Sequence, residues 1–227
     1  MDFMYQKYTG IILKKHPFGE ADELLTVYTR EAGKIRCKAV SNRKPTSKLA
    51  GHLQSLNEIE FEVASAAARR GGGPLPVLIS VRALSINSYL RQNLRKFAFA
   101  LVGIETLYRL MGDREENGPA YDELRNFLKN LGESADENLA VREFQLGLLA
   151  ASGYAFPGIG VIASGSNSIA SLRGNPKQSL NNKKEIASPF EYKGLAMTKE
   201  LENEIDRFID YVLEREIKSA KMLDSLI

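Results

Sequence analysis

The chain contains one stretch in which apolar and cationic side chains alternate without a break, Gly33-Lys34-Ile35-Arg36-Cys37-Lys38-Ala39. In a β-strand this period of two places Ile35, Cys37 and Ala39 on one face and the three cations on the other. A strand that buries one face and presents positive charge on the other is suited to binding phosphate groups. Cations on an exposed strand also keep a sheet soluble and discourage edge pairing, so this stretch alone leaves both interpretations open.

Four further segments around this strand have the composition of short strands. Residues 5–15 and 24–29 precede it, with a Pro- and Gly-containing turn predicted at residues 16–22. Further on, Glu58–Val63 alternates acidic and apolar side chains, and the apolar run Val77–Leu84 predicts a fifth strand that is buried on both sides. Five short strands with turn signals between them indicate a small closed β-barrel or a sandwich.

After residue 84 the apolar side chains recur at spacings of three and four instead, which is the pattern of amphipathic helices. Leu90–Met111 predicts one long helix, and Tyr121–Leu131 predicts a shorter one. The capping-box sequence Ser134-Ala135-Asp136-Glu137 predicts the start of a third helix. Thr198 is a suitable N-cap for a further helix that runs to about Ile217. Successive helices with apolar faces indicate a bundle.

The predicted organisation is α+β, with two domains. Residues 1–84 form the barrel domain and residues 85–227 form the helical domain. The helical domain contains an irregular, cysteine-free insert at about 155–195, because residues 158–190 are rich in Gly, Ser and Asn and show no periodicity.

Composition places the chain among ordinary globular proteins, with 44% hydrophobic and 26% charged residues in a total of 227. Residues 1–82 carry 13 Lys and Arg against 8 Asp and Glu, whereas the remainder carries 18 against 20. This asymmetry indicates a first third that faces nucleic acid. The N-terminus lacks the apolar region of a signal peptide, and no apolar run reaches membrane-spanning length. With Cys37 as the single cysteine, we expect a cytoplasmic protein without a membrane partner.

The motifs of catalysis are missing from the sequence. It contains neither a Gly-x-Ser-x-Gly elbow nor a Walker A sequence. One cysteine and two histidines argue against a Cys/His zinc site, and Cys37 has the phase of a core residue rather than of a nucleophile. We therefore predict a binding protein with no catalytic and no metal-ligating residues.

A barrel of the OB type binds single strands with a cationic groove and exposed aromatic rings. Phe18, in the first turn, and Tyr28, on the second strand, are the candidate stacking rings. The candidate DNA-binding cations are Lys14, Lys15, Arg30, Lys34, Arg36, Lys38, Arg43, Lys44, Lys48, Arg69 and Arg70.

Four segments resemble the RecO family of bacterial recombination mediators, and together they span nearly the whole chain in order. The N-terminal signature extends from Gly10-Ile11-Ile12-Leu13-Lys14 through Pro17-Phe18-Gly19-Glu20-Ala21-Asp22 to Gly33-Lys34-Ile35. The other three segments are Arg43–Gln54, Phe144–Tyr154 and Glu214–Leu223. The resemblance implies an N-terminal OB-fold followed by a helical C-terminal domain.

The resemblance also implies a non-enzymatic role in recombinational DNA repair. Family members bind single- and double-stranded DNA, anneal complementary strands, and act with RecR and the single-strand-binding protein to help load RecA. Many members carry a four-cysteine zinc motif after the central helix, but the equivalent stretch here, Ala155 to about Lys193, contains no cysteine. We therefore expect no zinc.

A second class of function stays open from the residues themselves. In this alternative the chain is a protein-interaction adaptor, and the basic face of its barrel binds an acidic peptide tail. The two functions are compatible, because a face that attracts phosphate also attracts carboxylate.

Overall fold

A computed structural model describes residues 5–65, 75–154 and 199–213 of the chain. The chain separates into two compact units. The first contains the residues up to 92 together with 111–128, and the second contains 93–110 together with the residues from 129 onward. The first unit therefore includes a segment that the chain reaches only after it has left the barrel. The domain boundary predicted after residue 84 stays a prediction.

Five strands form the barrel of the first unit. They are β1 (Tyr5–Phe18), β2 (Asp22–Thr29), β3 (Gly33–Ala39), β4 (Glu58–Ala64) and β5 (Val77–Ser85). Their order around the closed barrel is β1-β2-β3-β5-β4, with β3 and β5 parallel and every other neighbouring pair antiparallel. This ring of five short strands confirms the predicted OB-like barrel followed by helices.

Alternating apolar side chains fill the barrel interior. In the β2–β3 pair, Leu25 lies opposite Cys37 and Val27 lies opposite Ile35. The buried cluster includes Ile12, Leu25, Val27, Ile35, Cys37, Ala39, Ile59, Phe61 and Val63. The predicted inward direction of Ile35, Cys37 and Ala39 is thus confirmed, and so is the assignment of Cys37 to the core.

The first hairpin is tighter than the turn predicted at residues 16–22. Strand β1 continues to Phe18, which pairs with Asp22, and Pro17 pairs with Glu23. The turn itself needs only residues 19–21, because Gly19 adopts a φ of 65°. A left-handed residue is what a short hairpin connection requires, so Gly19 and not Pro17 marks the turn.

Strand β5 exists as predicted, but the prediction that it is buried on both sides is wrong. Of its nine residues only Leu78 is buried. Its register with β4 shifts at two places, and Ile79 and Leu84 are the extra residues there. A bulge residue has no partner on the neighbouring strand, which explains why both side chains are nearly half exposed.

The long helix predicted at residues 90–111 is two helices, α1 (Ser88–Gln92) and α2 (Leu94–Leu110). Asn93 separates them. Its side-chain Oδ1 accepts a hydrogen bond from the Lys96 amide (3.1 Å), and its carbonyl accepts one from the Phe97 amide (2.8 Å). An Asn side chain that caps a helix competes with a continuous helix, although the apolar spacing continues across it.

The next two helices begin at caps that apolar spacing does not reveal. Helix α3 (Gly118–Glu133) starts earlier than predicted, because Asn117 Oδ1 accepts a hydrogen bond from the Ala120 amide (3.0 Å). In helix α4 (Glu137–Ala151) the N-cap is Asp136, which accepts from the Leu139 amide (3.1 Å), and not the predicted Ser134. A carboxylate at the N-cap also interacts favourably with the helix dipole.

Helix α5 (Lys199–Leu213) completes the second unit, where it contacts α2 and α4. Its buried side chains, Leu201, Ile205, Phe208 and Ile209, lie on one face as predicted. The N-cap predicted at Thr198, the helix end predicted near residue 217 and the insert predicted at 155–195 lie outside the described residues.

Candidate nucleic-acid interface

The outward face of strands β1, β2 and β3 carries four of the eleven predicted cations, Lys14, Lys34, Arg36 and Lys38. Residues directly opposite one another across a sheet project to the same side, so the strand register defines this face. Three rows cross it: Lys14–Thr26–Arg36, His16–Leu24–Lys38 and Phe18–Asp22. Lys14, Arg36 and Lys38 therefore share one face with Phe18. We call these four residues the outer cluster.

Phe18 is held in place at the end of β1 by its neighbours. The Lys38 Nζ lies 5.4 Å from the centre of the Phe18 ring and 2.8 Å from Asp22 Oδ2. Asp22 accepts hydrogen bonds from the Lys38 ammonium and from the Ser41 amide, and these bonds lower the pKa of its carboxyl below the usual range. Phe18 as a whole is 42% exposed. A partly exposed ring beside an ammonium group is suited to contact with a base next to its phosphate.

The loop after β3 is fixed to the first hairpin and extends the positive surface. The Arg43 guanidinium donates to the carbonyls of Gly19 (3.3 Å) and Glu20 (3.2 Å), and the Arg43 amide donates to the carbonyl of Ala21 (2.9 Å). Arg43 therefore positions the loop besides contributing charge.

Two lysines of the same loop extend into solvent. Lys44 and Lys48 are exposed, and neither forms an ion pair within the part of the chain that the structure describes. Lys44 is near enough to Asp22 to contribute to the lowered pKa of that carboxyl. Long-range attraction of a polyanion depends on such uncompensated charge.

At the opposite end of β3 the structure covers the predicted binding face. The Lys34 side chain is buried, although its position in the strand directs it outward. Its Nζ donates to the Met111 carbonyl (2.9 Å) and lies 3.2 Å from Asp113 Oδ1. Arg36 is paired with the same carboxylate at 3.5 Å. We call residues 111–116 the acidic strap.

The acidic strap follows β3 closely. Its Arg114 amide donates to the Lys34 carbonyl (2.9 Å), and Asp113 forms an isolated parallel bridge with Lys34. The backbone of Glu115 lies very close to Gly33. A Cβ added to Gly33 would be only 1.9 Å from the Glu115 carbonyl oxygen. Sequence reasoning did not connect this segment with β3, because a strap far along the chain leaves no periodic signal in the strand that it covers.

Tyr28 lies opposite Lys34 and is fully buried, so the structure does not support its prediction as a stacking ring. Its hydroxyl has no hydrogen-bond partner among the described residues. Burial, followed by the nearby Glu115 carboxylate, raises the pKa of the Tyr28 hydroxyl.

The remaining predicted cations lie apart from the outer cluster. Lys15 lies on the face of β1 opposite to Lys14, and its Nζ is 3.6 Å from Glu23 Oε1. Arg30 follows the end of β2, where it pairs with Asp122 at 3.1 Å and stacks 5.8 Å from the centre of the Tyr121 ring. Arg69 and Arg70 lie outside the described residues.

A buried carboxylate in the first unit was also not predicted. The alternation of β4 predicts Glu58 on a solvated acidic face, but Glu58 is buried. It accepts a hydrogen bond from the Tyr121 hydroxyl (2.8 Å) and lies 3.1 Å from Arg125 Nε, so it fixes the start of α3. Burial and this hydrogen bond raise the pKa of the Tyr121 hydroxyl.

The described residues contain neither a metal-binding group nor a membrane-spanning helix. No group of three or more His, Cys, Asp or Glu side chains in the described residues is arranged to hold a metal ion. Across those same residues, no helix combines the length and the apolar character that crossing a membrane requires.

Comparison with known proteins identifies relatives for both parts of the chain. Residues 1–73 match the model of the recombination protein O N terminal, and residues 91–166 match that of the recombination protein O C terminal. A DNA repair protein RecO of Dehalococcoides mccartyi is 30% identical over 148 residues, which are 65% of this chain and 56% of the relative.

Other relatives have the same printed name and a similar extent of match. The DNA repair protein RecO of Syntrophotalea carbinolica is 30% identical over 64% of this chain and 55% of its own length. The DNA repair protein RecO of an Exiguobacterium species is 27% identical over 64% of this chain and 56% of its own length. The chain thus spans little more than half the length of these relatives. With both family models matched in order, and with an OB-like barrel followed by helices, the chain belongs to the RecO family.

Proposed function

We propose that the chain is a non-enzymatic DNA-binding mediator of recombinational repair. The observation that carries the proposal is the outer cluster, in which three cations and an exposed ring share one barrel face beside the exposed Lys44 and Lys48. The name of the relatives, DNA repair protein RecO, supports the repair role.

Binding through this surface does not depend on base sequence. Lysine and arginine contacts to phosphates release condensed counterions and carry no sequence information. A ring such as Phe18 can stack on any base, because every base has a π-face. Both single- and double-stranded DNA are therefore ligands of this surface, and the single strand gains the additional stacking contact.

Strand annealing follows from the same charges. Two complementary strands repel each other, and a cationic surface that holds one strand lowers the repulsion felt by the second. No covalent bond is made or broken, so annealing needs no catalytic group. By family membership we also propose that the chain acts with RecR and the single-strand-binding protein, and so helps to load RecA.

The chain performs this role without zinc. The four-cysteine motif of many family members would require thiolate ligands, which zinc prefers together with imidazole. Residues 155–198 contain neither a cysteine nor a histidine. The donor set in this stretch therefore does not fit a zinc ion.

One observation supports a second ligand for the same face, an acidic peptide tail. The Asp113 carboxylate already lies within ion-pair distance of both Lys34 and Arg36, so these cations can bind a carboxylate. A peptide and DNA would then compete for the outer cluster.

A salt titration of a fluorescent oligothymidylate tests the proposal. With contacts from Lys14, Arg36, Lys38, Lys44 and Lys48, the slope of log K against log salt should be roughly −3.5, at about 0.7 for each phosphate contact of a single strand. Lys44→Ala/Lys48→Ala should reduce that slope by about 1.4 and weaken binding on the order of tenfold at 0.1 M salt.

The matched control is Lys129→Ala/Lys199→Ala, which removes the same charge from exposed helix positions of the second unit. Its slope should equal that of the unmodified chain. Equal affinities for the two double variants would refute the assignment to the loop. No binding at low salt, combined with binding of an Asp-rich peptide, would favour the adaptor function.

A further inference from the structure

We infer that the acidic strap, residues 111–116, is a displaceable competitor of DNA that restrains binding at one end of the barrel face. This inference rests on the proposed function, because it concerns the same outward surface. Its basis is that the strap supplies an anionic group to two cations of β3 that DNA would otherwise contact.

The contact resembles the binding of a phosphate. The two oxygens of Asp113 are divided between Lys34 Nζ (3.2 Å) and Arg36 Nη2 (3.5 Å). A phosphodiester group also presents two anionic oxygens to neighbouring cations. The carboxylate therefore satisfies the same donors and neutralises part of the charge that would attract a nucleic acid.

The strap is exposed between two buried attachments. Met111 on one side and Ala120 on the other are buried, whereas the four residues from Asp113 to Glu116 are exposed. Arg114 has a φ of 59°, a left-handed conformation that favours glycine. Segments with few buried contacts open more easily than the core on which they lie.

Displacement of the strap would enlarge the positive surface. The rows of the sheet place Lys34 next to Arg36 along β3, and Lys14 and Arg36 lie on either side of Thr26. With Asp113 displaced, a phosphate can take the place of that carboxylate beside Arg36. If the strap also lifts, the Lys34 ammonium becomes accessible, and the bound strand gains a second contact.

The test compares two substitutions that each remove one negative charge from the strap. Asp113→Asn removes the partner of both cations, and Glu116→Gln removes an exposed carboxylate that makes no ion pair within the described residues. For oligothymidylate we expect Asp113→Asn to bind several-fold more tightly. Its salt slope should stay close to that of the unmodified chain, because DNA that has displaced the strap contacts Arg36 in both complexes. Glu116→Gln should bind oligothymidylate with nearly the affinity of the unmodified chain.

Displacement itself is followed by hydrogen exchange of the unmodified chain. The Arg114 amide, which donates to the Lys34 carbonyl, should exchange faster in the presence of saturating oligothymidylate. The inference is overturned if Arg114 exchange is unchanged or slowed, or if the two substitutions give equal affinities. If Lys44→Ala/Lys48→Ala also binds like the unmodified chain, the proposed function itself fails, so the two failures are distinguishable.

Discussion

At the scale of single residues, alternation predicts the direction of a side chain but not what covers it. The phase of β3 correctly separates Cys37 from the cations on either side of it. It cannot show that Lys34 is buried, because its partner Asp113 follows about eighty residues later. The buried Glu58 has the same explanation, since its partners Tyr121 and Arg125 follow 63 and 67 residues later.

The buried thiol of Cys37 predicts a loss of stability at alkaline pH. Burial raises the pKa of this thiol to about 12, whereas an unfolded cysteine titrates near 8.5. Above pH 8.5 the unfolded chain loses a proton that the folded chain keeps, so the free energy of unfolding must fall as the pH rises. The slope from this group approaches about 1.4 kcal/mol per pH unit.

Urea unfolding between pH 7.5 and 9.5 measures this slope. Cys37→Ala serves as the comparison, because it removes the titrating group while its cavity cost is the same at every pH. The buried Tyr28 and Tyr121 hydroxyls, whose pKa values burial also raises, contribute equally to both proteins and cancel in the comparison. Parallel pH profiles for the two proteins would contradict the prediction.

At the scale of elements, periodicity locates most strands and helices and fails at their irregularities. The bulges at Ile79 and Leu84 convert an apolar run into an exposed strand, and the side chain of Asn93 divides one predicted helix into two. Both are local hydrogen-bonding events. They are decided by the partner strand or by a cap, and the spacing of apolar residues does not record them.

Alanine substitutions at Gly33 and Gly19, which both have a positive φ, test the packing of the acidic strap on β3. Gly33→Ala places a Cβ 1.9 Å from the Glu115 carbonyl oxygen, whereas a Cβ at Gly19 meets nothing within 4 Å. We expect Gly19→Ala to cost about 1 kcal/mol from the left-handed conformation alone. Gly33→Ala should cost about 2–4 kcal/mol, because the backbone of the strap must also move.

Urea midpoints of the two variants, measured at the same pH and salt, give the difference. Since the conformational cost is common to both substitutions, the excess for Gly33→Ala reports the contact with the strap. If both variants lose the same free energy of unfolding, the strap does not lie on β3 in solution.

At the scale of the whole molecule, charge distribution and the family resemblance predict more than any single motif. The excess of cations in residues 1–82 indicates a nucleic-acid-facing barrel, and both family models match the chain. What these signals miss is internal neutralisation. Asp113 and Asp122 lie outside residues 1–82 and pair with Lys34 and Arg30, so the excess of cations in that stretch overstates the charge available to DNA.

Annealing by the unmodified chain should not depend on a metal ion. If annealing relies on the cations as proposed, a chelator should leave the rate for complementary oligonucleotides unchanged, whereas added salt should lower it steeply. Lys44→Ala/Lys48→Ala should anneal more slowly than Lys129→Ala/Lys199→Ala at every salt concentration. Metal analysis of the purified chain should find far less than one zinc per molecule, since the stretch that carries the zinc motif elsewhere in the family has no thiol or imidazole here. Stoichiometric zinc, together with loss of annealing on chelation, would show instead that other residues of the chain form a metal site.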